Sequence, residues 1–552
     1  MAARRPNILL ITTDTQRWDT LKCMGNPHAV SPNLDRLAAE GVLFTQGHTS
    51  SPVCMPARCS LLTGVHTPVH GCIENGIDRR EDLPVFTDYL KEQGYATIMV
   101  GKTHFGPVPA SFDQQHIIHG EKGSDKDDFY AEHIRRLGYS RSSAHPNPIP
   151  EEAFMDAYIS DTTMECIERT RGSGAPFFAF CSMLSPHGPI DPPGKWAHLY
   201  DKVPLPEINY RDEEIKDQPT HLRRLVGTAD RLGGAADAGA AAGTADSTGR
   251  APGTAAAAGG GGRTPADGAG VGVGAAVAGG GGAASAAARD FSYLEKEGPF
   301  SKLNEALGNT IDGVNRQEID AFRRLYYGSA AYCDHQVGRL MDYLERKGLR
   351  ENTLIIFSSD HGQEYFDHGF NDKHNYYDAS WRVPFIMSMP GTLPSGTKRD
   401  FAIWNDIPAT ILAAAGTECP SMQGFDLFTP LSEGKPSPRR CAVATLFKSA
   451  ALATEKWKLE YYFEEGTGRL YDRTADPAEQ RNLYDDPAYA GTAAGLTRAL
   501  LTWRSDLCDV NYLRAKTRGG GPVANRLAAY NKGIRGTDGE ERLNGMAIRW
   551  EK

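Results

Sequence analysis

The sequence predicts an α/β protein: a large, mostly parallel central sheet sandwiched by helices, followed by a smaller C-terminal α+β subdomain. Two observations carry this. Four short runs, NILLITTDTQ (7–16), ATIMVGKTHF (96–105), PFFAFCSMLSPH (176–187) and TLIIFSSDHG (353–362), are continuously apolar and then stop at polar or ionisable residues. Continuous rather than alternating hydrophobicity marks strands buried on both faces, as in a parallel sheet covered by helices. Helix-like stretches lie between the runs, and that alternation is the layered α/β pattern.

Taken in order, the first run follows two arginines and superficially resembles a secretory leader. Its apolar part is too short, it ends in Thr12-Thr13-Asp14, and no small-residue cleavage site follows, so it reads as the first strand. SPNLDRLAAEG (31–41) reads as a helix, with Ser31 as its cap and Pro32 at its first position. LPVFTDYLKEQG (83–94) and the long RQEIDAFRRLYYGSAAYCDHQVGRLMDYLERKG (316–348) read as further helices. Residues of about 227–289 form a Gly/Ala-rich tract without one aromatic residue. Such a tract cannot bury enough surface to offset its ordering entropy, and it reads as a disordered insertion in a large domain spanning 1–440. From 441 the texture changes. CAVATLFKSAALATEKWKLEYYFEEGTGRLYDRTADP reads as several antiparallel strands with a GTG turn, and a polar tail continues to Lys552.

Bulk properties narrow the function. The net charge of −9 argues against nucleic acid as the main partner, so an anionic substrate must be drawn in by local basic groups. Ten cysteines are dispersed, without the paired spacing of a zinc module. No stretch reaches the ~18 apolar residues of a membrane span. As it stands the chain reads as cytoplasmic, with a secretory route open if residues are missing from its N-terminus.

In open α/β sheets ligands bind beyond the carboxyl ends of the strands. The four runs therefore bring Asp14, Lys102 with His104, His187, and Asp360 with His361 to one rim. Cys54 stands at what reads as a helix start, just before Pro56. Unpaired amides and the dipole at such an end favour an oxyanion, and Arg58, one turn in, offers a planar fork to a tetrahedral anion. Taken alone, Cys54 would more often be a packed thiol, and each histidine as readily a satisfied structural one as a functional one. Together they favour a site.

Cys54-Met55-Pro56-Ala57-Arg58, with Leu-Thr-Gly shortly after, resembles the signature of the sulfatase family, whose fold is alkaline-phosphatase-like. The resemblance covers almost the whole chain outside the Gly/Ala tract. GKTHFG, SPHGP, WNDIPATILAAAG and RLYDRTADPAEQRNL are similar to recurring family segments. In that family the cysteine is converted to formylglycine by a formylglycine-generating enzyme. The resemblance implies sulfate-ester hydrolysis by a hydrated aldehyde at position 54. A divalent metal, Ca²⁺ ahead of Mn²⁺ or Mg²⁺, would be held by Asp14, Cys54, Asp360 and His361. It implies catalytic roles for Arg58, Lys102, His104, His187 and Lys373, with His104 as a base, His187 or Lys373 protonating the leaving group, and the cations holding sulfate oxygens. Asn75 matches a sulfate-side asparagine of the branch that includes choline-sulfatase-like and phosphonate-monoesterase-like enzymes.

The departures are Thr15, where many sulfatases carry a second aspartate, and His361, where many carry asparagine. Gln16 is a candidate to replace the missing aspartate. The expected partner is a sulfated small molecule or glycan. Competing readings are a phosphonate monoester or phosphodiester hydrolase with the same nucleophile, and a non-catalytic relative that retains an anion pocket. His48, Cys59 and Cys72 read as packing residues, and Asp367, His368 and His374 as rim or surface residues.

Overall fold

The structure is a computed structural model that describes residues 5–118, 128–142, 144–212, 214–219, 311, 316–516, 543 and 545–546. The Gly/Ala tract expected at about 227–289 lies outside the described residues.

The large sheet is built from β1 (Asn7–Thr13), β2 (Val42–His48), β3 (Ala96–Gly101), β4 (Gln114–Ile117), β5 (Phe177–Ser182), β6 (Thr353–Ser359), β7 (Phe385–Ser388) and β8 (Thr397–Ile403). Their order is β4-β3-β5-β1-β6-β7-β2-β8. Among these strands only β7 runs antiparallel to its neighbours. All four runs read from the sequence are strands, and they sit side by side as β3-β5-β1-β6. Their register aligns the strand ends: Thr13 pairs with Ser359, Thr12 with Ser182, and Gly101 with Ser182.

The pleat sends successive β1 side chains into opposite cores. Ile8 and Leu10 join a cluster on one face, Leu9 and Ile11 one on the other. The first cluster is covered by helices α2 (Cys54–Thr63), α3 (Phe86–Glu92) and α6 (Asp406–Ala414). The second is covered by α1 (Pro32–Ala39), α4 (Met155–Arg171) and α5 (Arg316–Arg346). Each fully buried Leu or Ile contributes on the order of 1.5–3 kcal/mol, so this two-sided burial explains why the runs carry no alternation.

The C-terminal sheet comprises β9 (Ala442–Leu446), β10 (Ser449–Ala453), β11 (Trp457–Tyr462) and β12 (Thr467–Asp472), all antiparallel. Its core is shared with earlier residues, among them Val53, Trp381 and Ile403. The stretch read as a polar tail differs from expectation. Residues Ala490–Lys516 form helix α7, whose Leu496, Leu500 and Trp503, spaced along one face, join that core. Among the described residues, no helix is long and apolar enough to cross a membrane.

Candidate active site

Cys54 is the first residue of α2, after an extended Val53, and all ten residues of this helix are buried. The helix ends at Gly64, whose φ of +69° and close approach to Met422 leave no room for a side chain: a Cβ there would lie 2.4 Å from Met422 Cγ. The Met55 N–H, left open by the helix start, donates to Asn75 Oδ1 at 3.1 Å.

The neighbouring strand ends converge on Cys54. Asp14 follows β1, Asp360 and His361 follow β6, and all three are buried. One ligand atom from each of Asp14, Cys54, Asp360 and His361 falls within 4.8 Å of every other. His361 Nε2 is 2.9 Å from Cys54 Sγ, while Nδ1 lies 2.7 Å from the Gly362 carbonyl. Nδ1 therefore donates to that carbonyl, and Nε2 is the ring nitrogen turned to the cluster.

Arg58 corrects one expectation. Its guanidinium is engaged by the protein itself rather than held as an open fork, with each of its three nitrogens donating to a buried neighbour. Nε donates to Asp360 Oδ2 at 2.8 Å, one terminal nitrogen to Asp14 Oδ2 at 3.3 Å, and the other to Ser182 Oγ at 2.8 Å and the Lys102 carbonyl at 3.2 Å. Two buried carboxylates demand a countercharge, and the buried arginine supplies it with one nitrogen to each.

Lys102 also pairs with Asp14. Burial alone would push the Asp14 carboxyl up, but Lys102, His187 and Arg58 outweigh it and hold the group well below the usual range. Lys373 reaches Cys54 directly, with Nζ 3.4 Å from Sγ. Burial opposes ionisation of the Cys54 thiol, yet Lys373, His361 and Lys102 hold it well below its ordinary value. Position 54 is thus the focus of local positive charge in an acidic protein.

His104 and His187 complete the rim, both half-buried. His104 sits at φ +45°, with Nδ1 buried and lacking a hydrogen-bond partner among the described residues. The same ring lies close enough to the Cys54 sulfur to favour its ionised form. His187 Nδ1 is 2.7 Å from the Gly188 carbonyl, and the ring lies close enough to Asp14 to influence it. Gly101 lets β3 turn toward Lys102: at φ +102°, a Cβ would meet the Ser182 carbonyl oxygen at 1.9 Å.

Tyr326 and Asp156 escaped sequence reasoning, as did the contacts that Thr15 and Gln16 make. Thr15, in place of a second carboxylate, donates through Oγ1 to Asp14 at 2.8 Å and through its N–H to Asp360 Oδ1 at 3.0 Å. Tyr326, on the long helix, donates from its hydroxyl to the Thr15 carbonyl at 2.8 Å. Asp156 accepts the N–H groups of Leu184 and Ser185 at 3.0 and 3.3 Å, and so fixes the segment that delivers His187. Gln16 sends its amide nitrogen to Thr20 Oγ1 at 2.9 Å, while its buried Oε1 has no partner among the described residues.

The packing readings also resolve. His48 is buried between Trp381 and Phe401, with its pKa depressed to about 3 by burial. Cys59, His70 and Cys72 form a second buried group with metal-ligand chemistry. Both His70 ring nitrogens are already engaged, Nδ1 by the Cys72 N–H at 3.1 Å and Nε2 by Ser60 Oγ at 2.9 Å, which leaves the trio a packing cluster.

Comparison with known proteins agrees with this geometry. The sulfatase family model matches residues 6–417, and a second one, the C-terminal region of N-sulphoglucosamine sulphohydrolase, matches 366–506. The chain is 25% identical to an N-acetylglucosamine-6-O-sulfatase of Bacteroides thetaiotaomicron, across 88% of this chain and 84% of that protein. It is 24% identical to an arylsulfatase of Clostridium perfringens, across 88% and 91%. Its fold is that of the phosphonate monoester hydrolase of Agrobacterium radiobacter, with a TM-score of 0.68 at 22% identity over 91% of this chain and 96% of that one. The strand-end cluster, the alkaline-phosphatase-like sheet and a family match that spans residues 6–417 lead to one conclusion: this chain is an enzyme of the sulfatase family.

Proposed function

We propose that the enzyme hydrolyses a sulfate ester, with Cys54, converted to formylglycine, as its nucleophile. The observation that carries this reading is the buried meeting of Asp14, Asp360 and His361 with Cys54 at a helix start, under Lys102 and Lys373. The donor set fits a divalent cation. Two carboxylates and the His361 ring nitrogen Nε2 lie within reach of one point. Its oxygen-rich character favours Ca²⁺, while the imidazole also admits Mn²⁺ or Mg²⁺. When bound, the cation and the hydrated aldehyde supply an activated hydroxyl directed at sulfur.

The remaining roles belong to the chain. Lys373 and Lys102 attract the sulfate and offset its charge, which the acidic surface repels. Arg58 acts from behind, holding Asp14 and Asp360 in place. His104, beside residue 54, is the base that removes a proton so that sulfate can leave and the aldehyde re-form. His187, with Nδ1 held by Gly188, presents Nε2 as the acid for the departing alcohol; Lys373 is the alternative donor. Asn75 borders the sulfate from the loop after α2. Residues 54–58 are buried once folded, so the formylglycine-generating enzyme must reach them before the chain closes. The name of the Bacteroides relative favours a sulfated sugar as substrate.

The test is a pair of measurements on protein produced beside a formylglycine-generating enzyme. The peptide containing residue 54 should lose sulfur and two hydrogens and gain one oxygen. The same preparation should hydrolyse 4-nitrophenyl sulfate faster than the corresponding phenylphosphonate monoester. A converted residue with the opposite preference would transfer the reading to phosphonate hydrolysis. Full conversion with no turnover of either ester class, sulfated sugars included, would leave an anion-binding relative.

A further inference from the structure

Lys373 and Asn75 approach the nucleophile from different turns, and one side chain connects those turns. Asp372 Oδ1 accepts the N–H of Lys373 at 2.8 Å. Glu74 Oε1 accepts the N–H of Asn75 at 2.7 Å. Each carboxylate thus caps the amide of the residue that follows it, as acidic side chains do in turns. Between them lies His374, with Nδ1 3.7 Å from Asp372 Oδ2 and Nε2 3.8 Å from Glu74 Oε1. Its ring stacks on Phe447, with centroids 5.8 Å apart and planes inclined by 19°.

The backbone is bent to allow this. His374 has φ +74° and Phe447 φ +47°, left-handed conformations that non-glycine residues seldom adopt. Strain of this kind persists where the surroundings over-determine it, often at functional sites. Sequence reading gave His374 to the rim or surface, yet it joins two residues beside Cys54.

We infer that His374 is a positioning residue: as an imidazolium between Asp372 and Glu74, it draws together the two turns that aim Lys373 and Asn75 at the reaction centre. The roles of Lys373 and Asn75 rest on the sulfate-ester reading above. With a neutral ring, two carboxylates would face each other with no charge between them, and the loop holding Asn75 would lose its tie to the segment holding Lys373. The charged groups facing the ring are Asp372 and Lys373 on its own segment and Glu74 across from it; the β9–β10 turn presents the Phe447 ring, with Lys448 paired to Glu464. Burial and Lys373 disfavour the cation, but the two carboxylates outweigh them and raise the pKa to about 9. The sign follows: the bridge is intact through neutral pH and is lost as pH rises through about 9.

The test uses metal-loaded protein with residue 54 converted. It compares wild type with His374→Asn, which is neutral and tolerates left-handed backbone, and His374→Lys, which keeps a cation. Calorimetry with inorganic sulfate reads binding without turnover, and 4-nitrophenyl sulfate reads kcat and KM. Sulfate affinity of the wild type should fall about tenfold between about pH 8 and pH 10, the scale of a displaced binding group. H374N should start about tenfold weaker and stay flat, with the loss in KM rather than kcat, and H374K should recover most of it. H374N with wild-type affinity and pH dependence would overturn the proposal. So would equal losses in H374N and H374K, the mark of ring packing alone, or a wild type that binds no sulfate. The predicted binding pattern in a protein that turns over no ester would sink the hydrolase reading and keep the positioning role. Turnover without the pattern would do the reverse.

Discussion

The two sides of Cys54 are built on different principles. Below it lies a floor of strand-end residues, Asp14, Asp360 and His361, fully buried and charge-matched by Arg58. Above it lies a rim of Asn75, His104, His187 and Lys373, carried on loops, and with His104 and His374 in left-handed conformations. The floor is fixed by sheet register, so its geometry is as rigid as the core. The rim is fixed by side chains bonding to loop amides, as Glu74 and Asp372 do. A floor of this kind suits the chemistry proposed for residue 54, and a rim of this kind can adapt to the ester to be recognised.

Removing the group both sides serve should have the largest effect. Cys54→Ala should lower ester hydrolysis by about a thousandfold or more, because floor and rim then address an inert methyl group. Thermal unfolding should change little in comparison, since alanine suits a helix start of this burial. Residual activity within tenfold of the wild type would break the comparison outright by placing the nucleophile elsewhere.

Arg58→Leu separates floor from rim. Breaking a buried ion pair by deleting one partner costs about 3–5 kcal/mol, because the remaining carboxylates stay buried without their countercharge. Urea unfolding should report that loss, and activity should disappear with it. If Arg58 instead held substrate, the variant would fold with wild-type stability and show only a raised KM.

Much of this floor was legible in the sequence, and the reason is physical. A strand buried on both faces must be apolar throughout, so the residue at which the run breaks is a strand end, and Asp14, Lys102 and Asp360 stand at or just beyond such breaks. Strands without that property were missed. β2 carries half-buried Thr45 and Gln46 in its middle, and the edge strand β8 opens with Thr397, Lys398 and Arg399. Helix α7 hid its Leu496, Leu500 and Trp503 stripe among polar and small residues. In the site, residue identities could be read while their directions could not. Nothing local to Arg58 says that it faces two carboxylates from strands whose ends lie 44 and 302 residues away. The link from His374 to Glu74 likewise exists only once two loops meet in space.

Metal removal sharpens the comparison from the floor side. A cation held by Asp14, Asp360 and His361 stabilises the folded state by mass action, by about 3 kcal/mol at a hundredfold excess over its Kd. Treatment with a chelator should lower the unfolding temperature and abolish hydrolysis, and Ca²⁺ should restore both better than Mg²⁺. Restoration by Mn²⁺ in preference would give the imidazole the greater weight in metal choice.

The smallest effect expected is at the rim. Asn75 is exposed, and its one described bond to the helix is Oδ1 accepting the Met55 N–H. Asn75→Ala frees an amide at a helix start, where water can replace the lost acceptor, so the cost in stability should be under about 1 kcal/mol. The KM for an aryl sulfate should rise about fivefold, the value of one hydrogen bond, with kcat nearly unchanged. If instead kcat fell and KM held, Asn75 would act on the transition state through the Met55 amide. It would then belong with the floor, and the division between a fixed base and a variable rim would have to be redrawn one residue closer to the substrate.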